Sequence, residues 1–492
     1  MNFGIRRLSS VLSIVAISVC SFPLSPFTTV AQNLKTRPKY NVLFIISDDL
    51  RPELGAYGVK GIKTPNIDKL AARSMRFDRA YAQYPVCNPS RTSLLTGRYP
   101  TETKVLNNND YFRRISPSTV TLPQYFKQNG YVTMRSGKIF HGGIDDPDSW
   151  DVGGEPPDPN ITERGNPNYK PRPAASNKED DEKAQSRGSN IKESSSDRIV
   201  VLDGNGETSG DYKVATRAIA LIEQYKDKPF FLGVGFVKPH SPPTAPKKFF
   251  DMYDIDNIPL PVDYGPVPKA PPGLPPISIA PRNSDLFIGR ESTPESAREM
   301  KRAYWASVSF MDEQVGRVLD ALEKNGLKDK TIVVLWGDHG YHLGEKGKWS
   351  KGYSLYEVGL RVPLLIAVPN GRPGSTDQIV ESLDLYPTLA ELCGLPKPSD
   401  LSGASLVPRL AKPNGGWDRP AYSVVVYGKS FGRSVRTARW HYVEWDEGRS
   451  GSMLFETEKD PPELKNLADD PKYANIVAEM KKLLAKMPVA KN

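Results

Sequence analysis

The residues best equipped for chemistry stand at Cys87-Asn88-Pro89-Ser90-Arg91, where a thiol, a turn-forming ring and a guanidinium follow at fixed offsets. Residues 90–95 can start a helix, which puts Cys87 near a helix N-terminus. Unpaired N–H groups and the macrodipole there favour an anion. Arg91, one helical turn on, adds a planar fork that matches a tetrahedral oxyanion. Upstream, the apolar run Asn41–Ser47 ends in Asp48-Asp49. A strand apolar throughout is covered on both faces, and open α/β sheets place their ligands at the carboxyl ends of such strands. Two adjacent carboxylates at that place read as hard oxygen ligands for Ca²⁺ or Mg²⁺.

Histidine placement points the same way. The chain has 5 histidines, and three of them close strand-end segments with Lys, Asp or Gly neighbours: Lys138-Ile139-Phe140-His141, Lys238-Pro239-His240 and Asp338-His339-Gly340. His342 shares the last loop, and His441 lies far away. One histidine alone is more often structural than catalytic. Three at strand ends, together with Cys87 and the aspartates, argue for a single site. Lys346, Lys348 and Lys351 follow Asp338 in a glycine-rich loop.

The longer run Cys87-Asn-Pro-Ser-Arg-Thr-Ser-Leu-Leu-Thr-Gly-Arg98 resembles the signature of type I sulfatases, and the likeness extends over residues 41–395 and a small C-terminal sheet. The segments 49–58, 137–141 and 338–340 are similar to the iduronate-2-sulfatase branch in particular. The resemblance implies that Cys87 is converted by a maturation enzyme to formylglycine, whose hydrated aldehyde is the nucleophile. It implies Asp48, Asp49, Asp338 and His339 as ligands of one Ca²⁺, with Mg²⁺ the lesser choice and the modified Cys87 touching the metal. His339 stands where other sulfatases have Asn, so a contact with sulfate is an alternative for it. Arg91, Lys138 and Lys351 would neutralise the sulfate oxygens, and Lys351 matches the family lysine better than Lys346 or Lys348. Asp338 is the implied proton acceptor. His240 with Lys351 would protonate the departing sugar oxygen, and His141 would act as the base that releases sulfate.

Around these residues, strands and helices alternate. Helices are expected over 64–75, 121–129, 212–225, 293–325 and 383–395. Strands are expected over 41–47, from Tyr131, and over 228–236, 331–337 and 362–368. This predicts an α/β fold, a mostly parallel sheet with helices on both faces, which the resemblance makes alkaline-phosphatase-like. The catalytic domain would span 32–417, with a Pro-, Ser- and charge-rich insertion over 151–198 that includes the glycosylation-type triplet at Asn160. The proline-rich stretch 265–278 reads as extended loop. After Asp418, short alternating runs at 422–427 and 440–445 predict a C-terminal subdomain, 418–492, with an antiparallel sheet and a closing helix over 474–487.

Two arginines, then the apolar run 11–22, then small residues at 29–31 read as a signal peptide over 1–31, hence a secreted or periplasmic protein. The apolar run is too short for a stable membrane span. Cys20 leaves with the leader and Cys393 sits in an apolar helix pattern, so no disulfide framework is expected. The net charge of +9 suits an anionic ligand, but no Lys/Arg-rich block or nucleic-acid motif accompanies it. A sulfated polysaccharide accounts for the charge without nucleic acid. The leading expectation is a hydrolase that removes O-sulfate from a sulfated carbohydrate, such as a 2-O-sulfated uronate. The alternatives are a formylglycine-dependent phosphonate or phosphate ester hydrolase, and a non-catalytic polysaccharide-binding protein.

Overall fold

The computed structural model describes Met1, residues 40–159 and residues 196–490. The expected signal peptide (beyond Met1) and, from the insertion, Asn160 through residue 195 lie outside the described residues.

Seven strands form the main sheet: β1 Asn41–Ser47, β2 Met75–Tyr81, β3 Val132–Gly137, β4 Phe230–Phe236, β5 Thr331–Gly337, β6 Arg361–Ala367 and β7 Gly374–Glu381. Their spatial order is β3-β4-β1-β5-β6-β2-β7. β1 runs parallel to β4 and β5, and β3 parallel to β4. The other half is mixed: β6 is antiparallel to β5 and β2, and β7 is parallel to β2.

Alternate residues of β1 face opposite cores, as a period of two requires. Leu43 and Ile45 join a core with helices α1 Pro65–Ala71, α4 Gly210–Tyr225 and α5 Pro294–Lys324. Val42, Phe44 and Ile46 join a second core with α2 Cys87–Thr96, α3 Leu122–Gln128 and α6 Leu385–Leu392. Each such side chain contributes about 1.5–3 kcal/mol on burial. With all seven positions of β1 buried, the strand is held firmly enough to carry two charges at its end. The helix expected over 64–75 stops at Ala71, and Met75 opens β2 instead. That strand is short, charged and interrupted by a register shift between Phe77 and Ala80, which hides its period from the sequence.

The register matters most for the site. Ser47 lies level with Phe236 and Gly337, and Gly137 lies level with Gly235. Four parallel strands therefore end together, and Asp48, Val237, Asp338 and Lys138 emerge along one edge. Close approach is what glycine provides here. A Cβ on Gly235 would meet the Lys138 carbonyl oxygen at 1.9 Å, and one on Gly337 would meet that of Leu50 at 2.2 Å.

The C-terminal sheet is antiparallel in chain order, β8 Ala421–Tyr427, β9 Ser430–Arg436, β10 Trp440–Trp445 and β11 Ser452–Glu456, and α7 Ala474–Leu484 packs against it. It is stitched to the main body by Val424 N–H to Gln83 O (3.0 Å) and Ser423 Oγ to Ala82 O (2.6 Å). Among the described residues no helix is long and apolar enough to cross a membrane.

Candidate active site

Asp48 and Asp49 follow β1 directly. Asp49 has φ +60°, a left-handed conformation that costs a non-glycine residue about 1–2 kcal/mol. Tertiary bonds hold it there. Its N–H donates to Asp338 Oδ1 (3.1 Å), and its carbonyl accepts from Tyr304 Oη (2.8 Å). Lys351 Nζ donates to both of its carboxylate oxygens (2.9 and 3.1 Å). Asp48 is fully buried and takes Lys138 Nζ on Oδ2. Burial alone would raise its pKa, but Lys138, His240, Arg91 and Lys351 together hold the carboxyl well below the usual range.

Cys87 is the first residue of α2, behind an extended Val86 that supplies no side-chain cap. Its Sγ lies 3.3 Å from Asp48 Oδ1 and 3.3 Å from His339 Nε2. Burial, and then the charge of Asp48, push the thiol pKa well above its ordinary value. An unmodified Cys87 is therefore a protonated, weakly nucleophilic thiol.

Arg91 is fully buried. Its Nε donates to Asp338 Oδ2 (2.9 Å), and Nη1 donates to the carbonyls of Lys138 (2.6 Å) and Ile139 (3.1 Å). Nη2 stands 3.7 Å from Asp48 Oδ1 and has no hydrogen-bond partner. Buried donors are nearly always paired, so this one points at the place of a ligand. His141 Nδ1 is likewise buried without a partner. Burial and the nearby Lys138 push its pKa well down, which keeps the ring neutral. His240 bonds through Nδ1 to Ser241 O (2.7 Å), which leaves Nε2 as the free end. Burial, then Lys351, lower its pKa to about 4.

His339 donates from Nδ1 to Gly340 O (2.9 Å), so its Nε2 lone pair faces Cys87 and lies 3.5 Å from Asp49 Oδ1. Ligand-type atoms of Asp48, Asp49, Cys87 and His339 all lie within 4.8 Å of one another, and all four residues are buried. Asp338 stands beside them. Its Oδ1 accepts from the N–H groups of Asp49 and His339, and burial together with Asp48 raises its pKa. Hard carboxylate oxygens in this number, with one imidazole nitrogen aimed inward, fit a divalent cation.

The loop after Asp338 separates the three lysines. Lys351 reaches Asp49, whereas Lys346 is held by Asp263 (2.9 Å) and Pro462 O (2.7 Å). Lys348 is buried and touches neither Asp49 nor Asp48. Arg51 braces this loop through Tyr341 O (3.1 Å) and Glu345 Oε1 (2.7 Å). His342 packs away from the cluster, bonded to Ser354 Oγ (2.9 Å) with its pKa driven down to about 3 by burial. His441 is buried against Glu463 in the C-terminal sheet.

Several supports carry no local signal in the sequence. Ser90 Oγ bonds to Asp338 O, and Asp211 at the start of α4 accepts the N–H groups of Val237 (2.8 Å) and Lys238 (2.9 Å), fixing the turn that presents His240. From the sequence alone, Asp211 reads only as an acidic residue just ahead of the helix expected over 212–225.

A profile of the family described as Sulfatase matches residues 40–395, and one described as N-sulphoglucosamine sulphohydrolase, C-terminal, matches residues 344–490. Iduronate 2-sulfatase of Homo sapiens is 37% identical over 441 residues, covering 80% of this chain and 75% of that protein. Among solved structures, a 2-O GAG sulfatase aligns with a TM-score of 0.66 at 25% identity, covering 91% of each chain. A phosphonate monoester hydrolase from Silicibacter pomeroyi aligns with a TM-score of 0.72 at 23% identity, covering 91% of this chain and 95% of that one, a likeness of fold alone.

Proposed function

The chain belongs to the sulfatase family, and on that premise we propose that it hydrolyses the O-sulfate of a sulfated carbohydrate, a 2-O-sulfated uronate being the favoured class. The observation that carries the mechanistic part is Cys87. A thiol held protonated by burial and by Asp48, at the head of a helix and ringed by Arg91, Lys138 and Lys351, is badly placed to attack as a thiolate. It is well placed as the precursor of another nucleophile. As formylglycine, the residue supplies an aldehyde hydrate with one hydroxyl to attack sulfur and a second to expel sulfate.

The cations do the electrostatic part. Asp48, Asp49, Asp338 and His339 would hold Ca²⁺, which adds positive charge beside the nucleophile and the sulfate oxygens. The three carboxylates face Arg91, Lys138 and Lys351, and each of these cations rests on one of them: Arg91 on Asp338, Lys138 on Asp48 and Lys351 on Asp49. With a divalent cation held on those oxygens, Lys138 and Lys351 would be left to bind an anion. Lys138 and Lys351 stay charged throughout: burial opposes this, but Asp48 for the first and Asp49 for the second raise their pKa values. His240 is neutral in the free protein, and an incoming anion beside Lys351 raises its proton affinity, so that Nε2 can protonate the leaving oxygen. His141, kept neutral by burial, is suited to accept a proton when sulfate departs. The carbohydrate class is supported by the relative, named iduronate 2-sulfatase, and by the structural neighbour, named a 2-O GAG sulfatase. The leader pattern over 1–31 supports a secreted or periplasmic location, where such polymers are met.

Two measurements test this. Mass spectrometry of the peptide that contains Cys87 should show aldehyde in place of thiol, after co-expression with a formylglycine-generating enzyme. Release of free sulfate should be seen from defined sulfated oligosaccharides, with matched aryl phosphate and phosphonate esters turned over more slowly. Fully active protein that carries only thiol would sink the mechanism, and a preference for the phosphonate ester would sink the substrate class.

A further inference from the structure

Of the three lysines after Asp338, only Lys348 is left without work. The residue is 1% exposed, and among the described residues no hydrogen bond or ion pair reaches its Nζ. An unpaired ammonium removed from water is costly, and burial pushes its pKa down to about 8 against the pull of Asp285. Asp285 is unpaired as well, with a buried Oδ2 that has no hydrogen-bond partner. Two segments fix these groups near each other. Leu286 N–H donates to Trp349 O (3.2 Å), Trp349 N–H donates to Asn283 Oδ1 (2.8 Å), and Asn283 Nδ2 donates to Gly347 O (3.4 Å). The zipper is continuous with the reaction centre, because Lys351 lies two residues beyond Trp349. Ser350 Oγ, between them, is also buried without a partner. The loop that carries Lys348 thus goes on to place Lys351 on Asp49, with Asp285 zipped alongside it.

We propose that Lys348 and Asp285 form a recognition subsite for a uronate, Lys348 taking the sugar carboxylate and Asp285 accepting a hydrogen bond from a ring hydroxyl. The inference rests on the carbohydrate reading above and deepens it. A buried cation calls for a full negative charge, which a neutral sugar does not bring. A buried acceptor beside it calls for a donor, which a second sulfate would not bring. A uronate ring carries both groups. Neither residue is needed to bind sulfate, which Arg91, Lys138 and Lys351 already surround.

The test uses Lys348→Met, which keeps the length of the chain, and Asp285→Asn, which keeps its shape. Sulfate release is measured on a disaccharide with a 2-O-sulfated uronate and on 6-O-sulfated N-acetylglucosamine, together with the melting temperature. In Lys348→Met the ratio of kcat/KM between the two substrates should fall about 10- to 100-fold, mostly through KM. The melting temperature should hold or rise, because a buried unpaired charge has gone. Asp285→Asn should lower the same ratio by a smaller factor. A lowered melting temperature with both substrates losing activity alike would show a structural pair and overturn the subsite. So would a wild-type preference for the uronate that survives in Lys348→Met. A wild-type protein that releases sulfate only from 4-nitrophenyl sulfate overturns the carbohydrate reading and the subsite together.

Discussion

Two buried acidic clusters in this molecule are built from the same groups and do different things. In the first, Glu381 and Asp384 sit between β7 and α6, where the C-terminal sheet joins the main body. Glu381 accepts from Tyr422 N–H (2.9 Å) and Tyr99 Oη (2.7 Å), and Asp384 accepts from the N–H groups of Ala404 (2.7 Å) and Glu381 (2.9 Å). Every carboxylate oxygen there has a donor fixed by backbone or ring. In the second cluster, Asp48, Asp49 and Asp338 lean on the ends of Lys138, Lys351 and Arg91, with Arg91 Nη2, His141 Nδ1 and Ser350 Oγ left unpaired around them. A cluster that satisfies itself holds the fold together. A cluster balanced on long-chain cations, with donors to spare, awaits a ligand.

The sharpest way to break the comparison is to remove the proposed nucleophile. Cys87→Ala should lower sulfate release by about 10⁴-fold or more, since no other nucleophile stands in the cluster. Its melting temperature should stay close to that of the wild type, because one buried sulfur is worth about 1 kcal/mol. Activity that survives in this variant would contradict the assignment of Cys87.

The contrast also shows what the sequence could reveal. The strands that carry chemistry are continuous apolar runs, such as 41–47 and 331–337, and their ends show in the pattern. Cys87, Arg91, Lys138, His141, His240, Asp338 and His339 each follow a strand or open a helix, so their positions could be read one at a time. The mixed half of the sheet could not. β2 is bulged and charged, and β7 begins with the polar residues Gly374-Ser375-Thr376. Glu381 and Asp384 are equally silent, because the donors Tyr99, Tyr422 and Ala404 are distant in sequence and are brought in only by folding, Tyr99 packing edge-on against Tyr422 of β8. Among Lys346, Lys348 and Lys351 the resemblance favours Lys351, and the loop geometry brings that lysine, not the other two, to Asp49.

A smaller effect follows on the structural side. Tyr99→Phe removes the phenol from Glu381 Oε2 and leaves a buried acceptor without its donor, at a cost of about 1–3 kcal/mol. Sulfate release per folded molecule should not change. Chemical denaturation reads the first quantity and active-site titration the second. A loss of turnover larger than the loss of folded protein would join the two clusters into one functional unit.

The finest distinction is in pH dependence. Burial, and then the neighbouring Asp384, push Glu381 up to about 8 from an ordinary 4.5. The folded protein thus keeps a proton that the unfolded chain releases above about pH 4.5. The stabilisation tied to this proton is complete below that pH and drains away as pH rises toward 8. Asp384 shifts in the same direction, for burial above all, so the pair acts with one sign. Glu381→Gln cannot release the proton and should not share in this loss. Between pH 5 and 8 the melting temperature of the wild type should therefore fall, by a few degrees, relative to that of the variant. Two curves that run parallel through this window would mean that Glu381 is ionised in the folded state and that Arg419, 3.9 Å away, compensates it.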